Sequence, residues 1–191
     1  MDSARILIAM SSDLSNTKMK TILVEAGFMV VDQAADGHDC LRKIRSCIPD
    51  LAIIELNLPL MNGYEIAKIA LEDDICDVVV ISTIEHEGIL GSLKKYTNFT
   101  ALMKPLNKAV LLNTLELMTK NRKKIKQLEK EINELKYTLD TRKEVEKAKG
   151  LLMKHLGLPE KDAFKRIQKQ SMDRGIPMKE IAKAIILTYE I

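Results

Sequence analysis

The sequence predicts an α/β fold, a doubly wound five-stranded parallel sheet, followed by a long coiled-coil helix and a small three-helix bundle. Over the first 119 residues, short apolar runs alternate with stretches of helical period. Residues 108–149 contain neither Gly nor Pro. After them, a glycine followed two residues later by a proline occurs twice, at Gly157 and Gly175, and divides residues 150–191 into three helical stretches. Continuous apolar strands separated by amphipathic helices are typical of a parallel sheet that is covered on both faces.

The elements of the first domain follow from these patterns in chain order. The last helix has Asn107 as its candidate N-cap. Because the carboxyl ends of parallel strands share one edge, we expect any ligand to bind there. The predicted strands are residues 5–9, 29–33, 50–56, 78–82 and 101–103, and the predicted helices are residues 15–26, 36–48, 63–71, 85–95 and 107–118.

The helix that begins near residue 107 continues with apolar residues at alternating spacings of three and four. From residue 125 to residue 139 this seam is unbroken, and Lys, Glu and Gln fill most other positions. Sustained heptads with flanking charges favour a coiled coil, here a parallel dimer, although a helix folded back on its own first domain would show the same pattern. The seam residues are Ile125, Leu128, Ile132, Leu135 and Leu139.

The last fifty residues predict a three-helix unit. Gly157 ends the long helix, Pro159 opens a second helix, and Gly175 with Pro177 separates the second from the third. A unit of this length buries little apolar surface by itself. We therefore expect it to pack against the coiled coil or a partner subunit. We expect the seam of the long helix to continue beyond Leu139 at Val145, Ala148, Leu151, Leu152 and Leu156. The apolar stripe of the second helix is Ala163, Phe164, Ile167, Ser171 and Met172, and the expected buried face of the third is Met178, Ile181, Ala182, Ile185, Ile186 and Tyr189.

The net charge differs between the first domain, the linker helix and the C-terminal unit. Residues 1–119 carry 11 basic and 16 acidic residues, residues 120–141 carry 7 and 4, and residues 142–191 carry 12 and 7. A polyanionic partner should therefore meet the C-terminal part. No apolar run spans a membrane and no signal peptide is evident, so we expect a cytoplasmic protein with reduced thiols. Those thiols are Cys40, Cys47 and Cys76.

Three segments of the first domain resemble the receiver domain of bacterial two-component response regulators. They are DLAIIELNLPLMNGYE, VVVIS and LMKP, and the resemblance covers roughly residues 4–118. It implies a flavodoxin-like fold in which two acids after the first strand hold Mg²⁺ and an aspartate ending the third strand accepts a phosphoryl group. Such domains take part in phosphorelay signal transduction.

The chain departs from the receiver pattern where that chemistry takes place. Met10 and Ser11 stand in place of the acid pair, and Glu55 stands in place of the aspartate, while Ser82 and Lys104 match the family. Mg²⁺ prefers carboxylate and other hard oxygen ligands. We therefore expect a pseudo-receiver without Mg²⁺ or phosphorylation, although phosphorylation at a displaced site is an alternative. A Glu55–Lys104 ion pair would either mimic the phosphorylated state or merely fill the vacated pocket.

The C-terminal segment resembles the ANTAR domain, an RNA-binding antiterminator module found behind receivers. The resemblance spans residues 142–188 and includes AKG at 148–150, the Ala163–Phe164 pair and Met172, with Gln168 where the family often has Arg. It implies a dimer that binds RNA hairpins competing with a transcription terminator. Lys and Arg would contact phosphates. The candidates are Arg142, Lys143, Lys147, Lys149, Gly150, Lys154, Lys165, Arg166, Lys169 and Arg174.

Two other functions remain open from the sequence. Residues 160–172 and 177–188 would serve as the helix-turn-helix of a DNA-binding regulator, but the second of these helices has only Lys179 and Lys183 as basic residues. A protein-interaction adaptor that binds a signalling partner is the other alternative. An enzyme is not expected, because the histidines have no catalytic partner nearby in the sequence. They are His38, His86 and His155.

Overall fold

The computed structural model of the chain describes residues 3–83 and 87–189, with two compact units, Met1–Ile125 and Lys126–Ile191. The first unit contains the predicted sheet, with every neighbouring pair parallel and in the order β2-β1-β3-β4-β5. The doubly wound α/β fold is thereby confirmed. The strands are β1 Arg5–Ala9, β2 Met29–Ala34, β3 Leu51–Glu55, β4 Asp77–Ser82 and β5 Phe99–Met103.

Helices cover the predicted segments, with shifts at their ends. The prediction for 85–95 becomes a short α4 followed by a 3₁₀ turn at Gly91–Lys95, and its residues 85 and 86, the latter being His86, lie outside the described residues. The helices are α1 Asp13–Glu25, α2 Gly37–Cys47, α3 Gly63–Glu72, α4 Glu87–Leu90, α5 Lys108–Leu156, α6 Glu160–Arg174 and α7 Met178–Tyr189.

Side-chain caps decide where the helices begin. Ser12 caps α1, because its Oγ accepts a hydrogen bond from the Ser15 amide at 3.2 Å. Asn107 caps α5 as predicted, because its Oδ1 accepts from the amide of Ala109 at 2.8 Å. A side-chain oxygen that satisfies an otherwise unpaired amide of the first turn is worth about 1 kcal/mol.

The sheet is buried on both faces because successive residues of a strand point to opposite sides. Ile53 and Ile54 of β3 are both fully buried, one in each of two apolar clusters. Helix α5 closes one face with Leu111, Leu115 and Met118. This two-sided burial is why the strands are continuous apolar runs.

A nearly buried ion pair lies where α5 passes the start of β4. Arg122 Nη1 donates to Asp77 Oδ1 at 2.5 Å, and Arg122 Nη2 is 3.5 Å from the carbonyl of Ile75. Removing one partner of such a pair costs about 3–5 kcal/mol, because the other charge is left buried. The pair therefore fixes this turn of α5 against the sheet.

The second unit has its own apolar core, in which the last turns of α5 pack with α6 and α7. The predicted face of α7 is confirmed, but that of α6 is partly wrong. Phe164 is 42% exposed and Met172 is 74% exposed. The inward positions of α6 are Ala163 and Ile167, and Met172 lies nine residues from Ala163, about half a turn away on the helix.

The predicted coiled-coil seam lies on α5 as an exposed apolar stripe. Its members are between 42% and 64% exposed. The predicted continuation of the seam beyond Leu139 is wrong, because Val145, Ala148 and Leu152 are buried in the core of the second unit with α6 and α7, while Leu156 is exposed. Within the described residues, no helix is both long and apolar enough to cross a membrane.

Candidate functional site

The carboxyl ends of the strands bring together most of the polar residues singled out in the first unit. Glu55 ends β3 and Ser82 ends β4, while Ser11 follows β1 and Lys104 follows β5. Met10 does not take part, because its side chain is buried in the apolar cluster beneath α5. The arrangement is a carboxylate with a hydroxyl and an ammonium around it.

Both oxygens of the Glu55 carboxylate are engaged. Oε2 accepts hydrogen bonds from the Ser11 amide at 2.7 Å and from the Ser11 Oγ at 2.6 Å, and Oε1 accepts from the Lys104 ammonium. The Glu55 side chain is only 10% exposed. Burial would raise the pKa of Glu55, but the hydrogen bonds from Lys104 and Ser11 outweigh it and hold the pKa below the ordinary 4.5. The group is a carboxylate at neutral pH.

Ser82 matches the receiver family but does not join this cluster. Its hydroxyl donates to the carbonyl of Thr83 at 3.0 Å, while its own carbonyl accepts from the Lys104 amide at 2.8 Å. The second interaction fixes the backbone that carries Lys104. Ser82 therefore supports Lys104 through its main chain, and its hydroxyl is engaged by the Thr83 carbonyl.

The donor set at this edge does not fit a Mg²⁺ ion. The ion takes six oxygen ligands in a near-octahedral arrangement, usually including carboxylates. Here the single carboxylate is already held by an ammonium and two donors from Ser11. Within residues 3–83 and 87–189, no group of three or more His, Cys, Asp or Glu side chains is placed to hold a metal ion.

The Asn-Gly turn after β3 shapes the backbone beside Glu55. Asn62 Oδ1 accepts from the Glu65 amide at 2.9 Å and so begins α3, and the Gly63 amide donates to the carbonyl of Leu56 at 2.8 Å. A Cβ at position 63 would lie 2.5 Å from the carbonyl oxygen of Glu55. Only glycine lets α3 begin this close to the end of the strand.

The second unit carries an exposed basic face on α5. Lys143, Lys147, Gly150 and Lys154 follow one another at spacings of four, three and four, which places them on one side of the helix. All four are exposed, and they lie on the side away from Val145, Ala148 and Leu152, which form the core. We name this set the lysine stripe. A Cβ added at Gly150 would meet nothing within 4 Å.

Lys149 lies on a different side of α5 and is held by carboxylates. Its Nζ is 2.5 Å from Glu146 Oε2 and 2.7 Å from Glu160 Oε1, so it ties α5 to the first turn of α6. The hydrogen bonds that its ammonium donates to Glu146 and Glu160 raise the pKa of Lys149. Its side chain is 11% exposed, so it offers less to a ligand than the lysine stripe does. Its place in the sequence signature did not disclose this contact.

The other candidate cations lie on α6 or at the start of this segment. Lys165, Arg166, Lys169 and Arg174 are exposed on α6, and Gln168 between them is exposed as well. Arg142 is exposed on α5, one residue before the lysine stripe. Apart from Lys149, the structure thus leaves the predicted cations on the surface.

Lys179 makes a contact that sequence reasoning missed. Its Nζ is 3.6 Å from Asp140 Oδ2 and 4.8 Å from the centre of the Tyr137 ring, so it binds the N-terminal end of α7 to α5. At the other end of α7, the rings of Tyr189 and His155 stack with centroids 5.0 Å apart. The two contacts show that α7 runs parallel to the end of α5.

Comparison with known families gives two matches that together cover most of the chain. A response regulator receiver domain matches residues 6–116, and an ANTAR domain matches residues 133–186. The transcriptional regulatory protein PdtaR of Mycobacterium tuberculosis is 32% identical over 96% of this chain and 90% of its own length. The chemotaxis protein CheY of Listeria monocytogenes is 26% identical over 61% of this chain and 98% of its own length.

Solved structures resemble the first unit. A CheY-like response regulator receiver domain protein from Methanospirillum hungatei superposes with a TM-score of 0.56 at 24% identity. The match covers 64% of this chain and 98% of that protein. At this identity the likeness establishes the fold.

Replacing Glu55 by Gln should lower the free energy of unfolding at pH 7 by about 1–3 kcal/mol, because the amide cannot satisfy both Ser11 and the Lys104 ammonium. The folded-state pKa of Glu55 is lowered, so this stabilisation is complete above about pH 4.5 and is lost as pH falls through the folded value. Urea unfolding should therefore show the difference between wild type and E55Q shrinking below that pH.

The matched control is E25Q, which removes an exposed ion pair with Lys108. We expect it to change stability by less than about 0.5 kcal/mol. Equal stability of E55Q and wild type at pH 7 would contradict the role given to the Glu55 cluster.

Proposed function

Because the chain belongs to the response regulators that join a receiver domain to an ANTAR domain, we propose that it regulates transcription by binding RNA hairpins as a homodimer. The expected outcome of binding is antitermination, in which a hairpin that overlaps a terminator is stabilised. The receiver domain is proposed to work without Mg²⁺ and without phosphorylation. Each part is supported by a different set of contacts.

The lysine stripe with its glycine supports RNA binding most directly. Three ammonium groups on one side of a helix suit the spaced phosphates of a nucleic acid backbone. Glycine in a helix interior costs about 1 kcal/mol relative to alanine, and no neighbour in the described chain needs the space at Gly150. The cost is explained if the backbone of RNA approaches α5 at this point.

The contacts of α7 weigh against a DNA-binding helix-turn-helix. A recognition helix needs side chains that are free to reach base edges in the major groove. Lys179 is instead engaged by Asp140 and Tyr137, and Lys183 lies 3.1 Å from Glu180. The basic residues of the second unit are otherwise on α5 and α6, outside the helix that would have to read DNA.

The exposed seam of α5 supports a dimer. Apolar side chains repeated at heptad spacing on an exposed helix are stabilised when a second helix covers them. The seam ends at Leu139, close to the first residue of the lysine stripe, Lys143. Pairing through the seam would bring two lysine stripes together and would suit a ligand with two hairpins.

The Glu55 cluster supports a receiver that is not phosphorylated. A phosphoryl acceptor must present a free carboxylate oxygen beside a bound Mg²⁺. Both Glu55 oxygens accept hydrogen bonds in the folded chain, and the Lys104 ammonium takes the place of the metal charge. Input would then come from a partner protein or from RNA itself.

A gel-shift titration should show preference for a hairpin RNA over duplex DNA of the same length at a stated salt concentration. The double variant Lys143→Ala, Lys154→Ala should weaken RNA binding about tenfold. It should also reduce the magnitude of the negative slope of log K against log salt by about 1–2, because two phosphate contacts are lost. The control variant Lys18→Ala, Lys20→Ala changes the charge equally on exposed positions of α1. Preference for DNA would overturn the proposal, and binding of neither nucleic acid would favour a protein adaptor.

Replacing Gly150 by Ala should raise the free energy of unfolding by up to about 1 kcal/mol and weaken RNA binding, because the new Cβ keeps RNA away from the helix. Asn133→Ala, on an exposed part of α5 outside the lysine stripe, is the control that raises helix propensity without affecting RNA. Urea unfolding and gel shifts measure the two effects. Unchanged RNA affinity in G150A would mean that this face is not the contact.

Incubation with acetyl phosphate and Mg²⁺ should leave the protein without a hydroxylamine-labile phosphoryl adduct, because the carboxylate that ends β3, Glu55, is held by Ser11 and Lys104. A receiver that has the aspartate serves as the reagent control. Stoichiometric labelling would overturn this part of the proposal.

The RNA affinity of E55Q, measured by gel shift, separates the two roles of the Glu55–Lys104 ion pair. If the pair mimics the phosphorylated state, the affinity should change. If the pair only fills the pocket, the affinity should stay the same.

A further inference from the structure

The coiled-coil seam of α5 places an arginine at its next inward position. In the heptad that contains the seam, Ile125, Ile132 and Leu139 occupy position a, while Leu128 and Leu135 occupy position d. Position d of the following turn is Arg142. Helix α5 continues without a break through this residue to Leu156. The seam therefore ends in a guanidinium rather than in an apolar side chain.

The seam has the residue types of a parallel two-stranded coil. Isoleucine at a with leucine at d favours two parallel helices. The flanking charges agree, because Glu131 at position g would face Lys136 at position e of a second copy, and Lys124 would likewise face Glu129. A second copy of this chain is thus the occupant that the stripe fits best.

Parallel pairing brings the two Arg142 side chains to the dimer axis. Helices in contact have axes about 8–10 Å apart, so two arginines at position d can reach the same point. Within the described residues, Arg142 makes no ion pair or hydrogen bond in its own chain. Antiparallel pairing would set Arg142 against Ile125 instead.

We propose that the Arg142 residues of two copies together bind one phosphate group of the RNA backbone, so that RNA binding and dimerisation reinforce each other. The inference rests on the proposed function for the identity of the anion. Without an anion, two guanidinium groups at the axis repel each other and displace a favourable leucine contact, so the free dimer is weakened. A phosphate accepts paired hydrogen bonds from each guanidinium and removes the repulsion. By linkage, what strengthens the dimer also strengthens phosphate binding.

The carboxylate nearest along the seam does not supply this counterion. Glu146 occupies the next position a and would come near Arg142 of the second copy, but its Oε2 is 2.5 Å from Lys149 Nζ. Lys149 is in turn shared with Glu160. Because Lys149 already engages Glu146, we assign the counterion of the Arg142 pair to an external anion.

Sedimentation equilibrium of the full chain tests the proposal with inorganic phosphate as the probe, at constant ionic strength set with chloride. For the wild type, we expect phosphate to tighten the dimer severalfold. Arg142→Leu should dimerise about tenfold more tightly without phosphate, because leucine completes the seam, and it should not respond to phosphate. Lys130→Leu, which also replaces one positive charge by leucine but on the opposite side of α5, should behave like wild type.

Three results would overturn the proposal: a wild type that stays monomeric at all concentrations, an R142L dimer no tighter than wild type, or a phosphate response that persists in R142L. A parallel titration with hairpin RNA keeps the two proposals separable. If phosphate acts through Arg142 but RNA does not bind, the arginine pair stands and the RNA-binding function fails. If RNA binds and drives dimerisation equally in wild type and R142L, the function stands and the arginine pair fails.

Discussion

One uninterrupted helix constrains this protein more than any other element. Neither Gly nor Pro occurs between residues 108 and 149, so α5 must continue once it has closed the sheet. Because the helix has 3.6 residues per turn, the position of a residue in the sequence fixes which side of the helix its side chain lies on. Leu111, Leu115 and Met118 bury against the sheet, the seam stays exposed, and Val145, Ala148 and Leu152 form the core of the second unit. The lysine stripe lies on the side of α5 that does not pack against α6 and α7.

The first unit keeps the receiver fold while its strand edge holds a different set of groups. Folds persist through packing of apolar faces, whereas function depends on a few side chains at defined places. Here the sheet and its two apolar clusters are intact, but a hydroxyl, a longer carboxylate and a lysine make a closed hydrogen-bonded cluster. The cluster gives hydrogen-bond donors to both oxygens of the Glu55 carboxylate at this edge of the sheet.

Several contacts lay beyond what sequence patterns indicate, for a common reason. Ion pairs such as Arg122–Asp77 and Lys149–Glu160 join residues of different helices and strands, and no local period marks them. Helical spacing also could not tell which of Ala163 and Phe164 faces inward, because adjacent residues differ by only about 100°. Packing against two other helices chose the small alanine, which left Phe164 half exposed. The predicted RNA-binding cations were separated in the same way, with Lys149 engaged and the lysine stripe exposed.

By itself the sequence determined the order of the elements, the parallel sheet, the apolar seam of the long helix, and the presence of Met10, Ser11 and Glu55 where receivers have two acids and an aspartate. These follow from local physical chemistry, since periodicity, caps and side-chain types act over a few residues. Only the tertiary structure decided that Ser11 and Lys104 would close around Glu55, that Lys179 would be taken up by Asp140 and Tyr137, and that nothing in the described chain would occupy the space beside Gly150. Those outcomes depend on distances between residues remote in the chain, which are set when whole elements pack together.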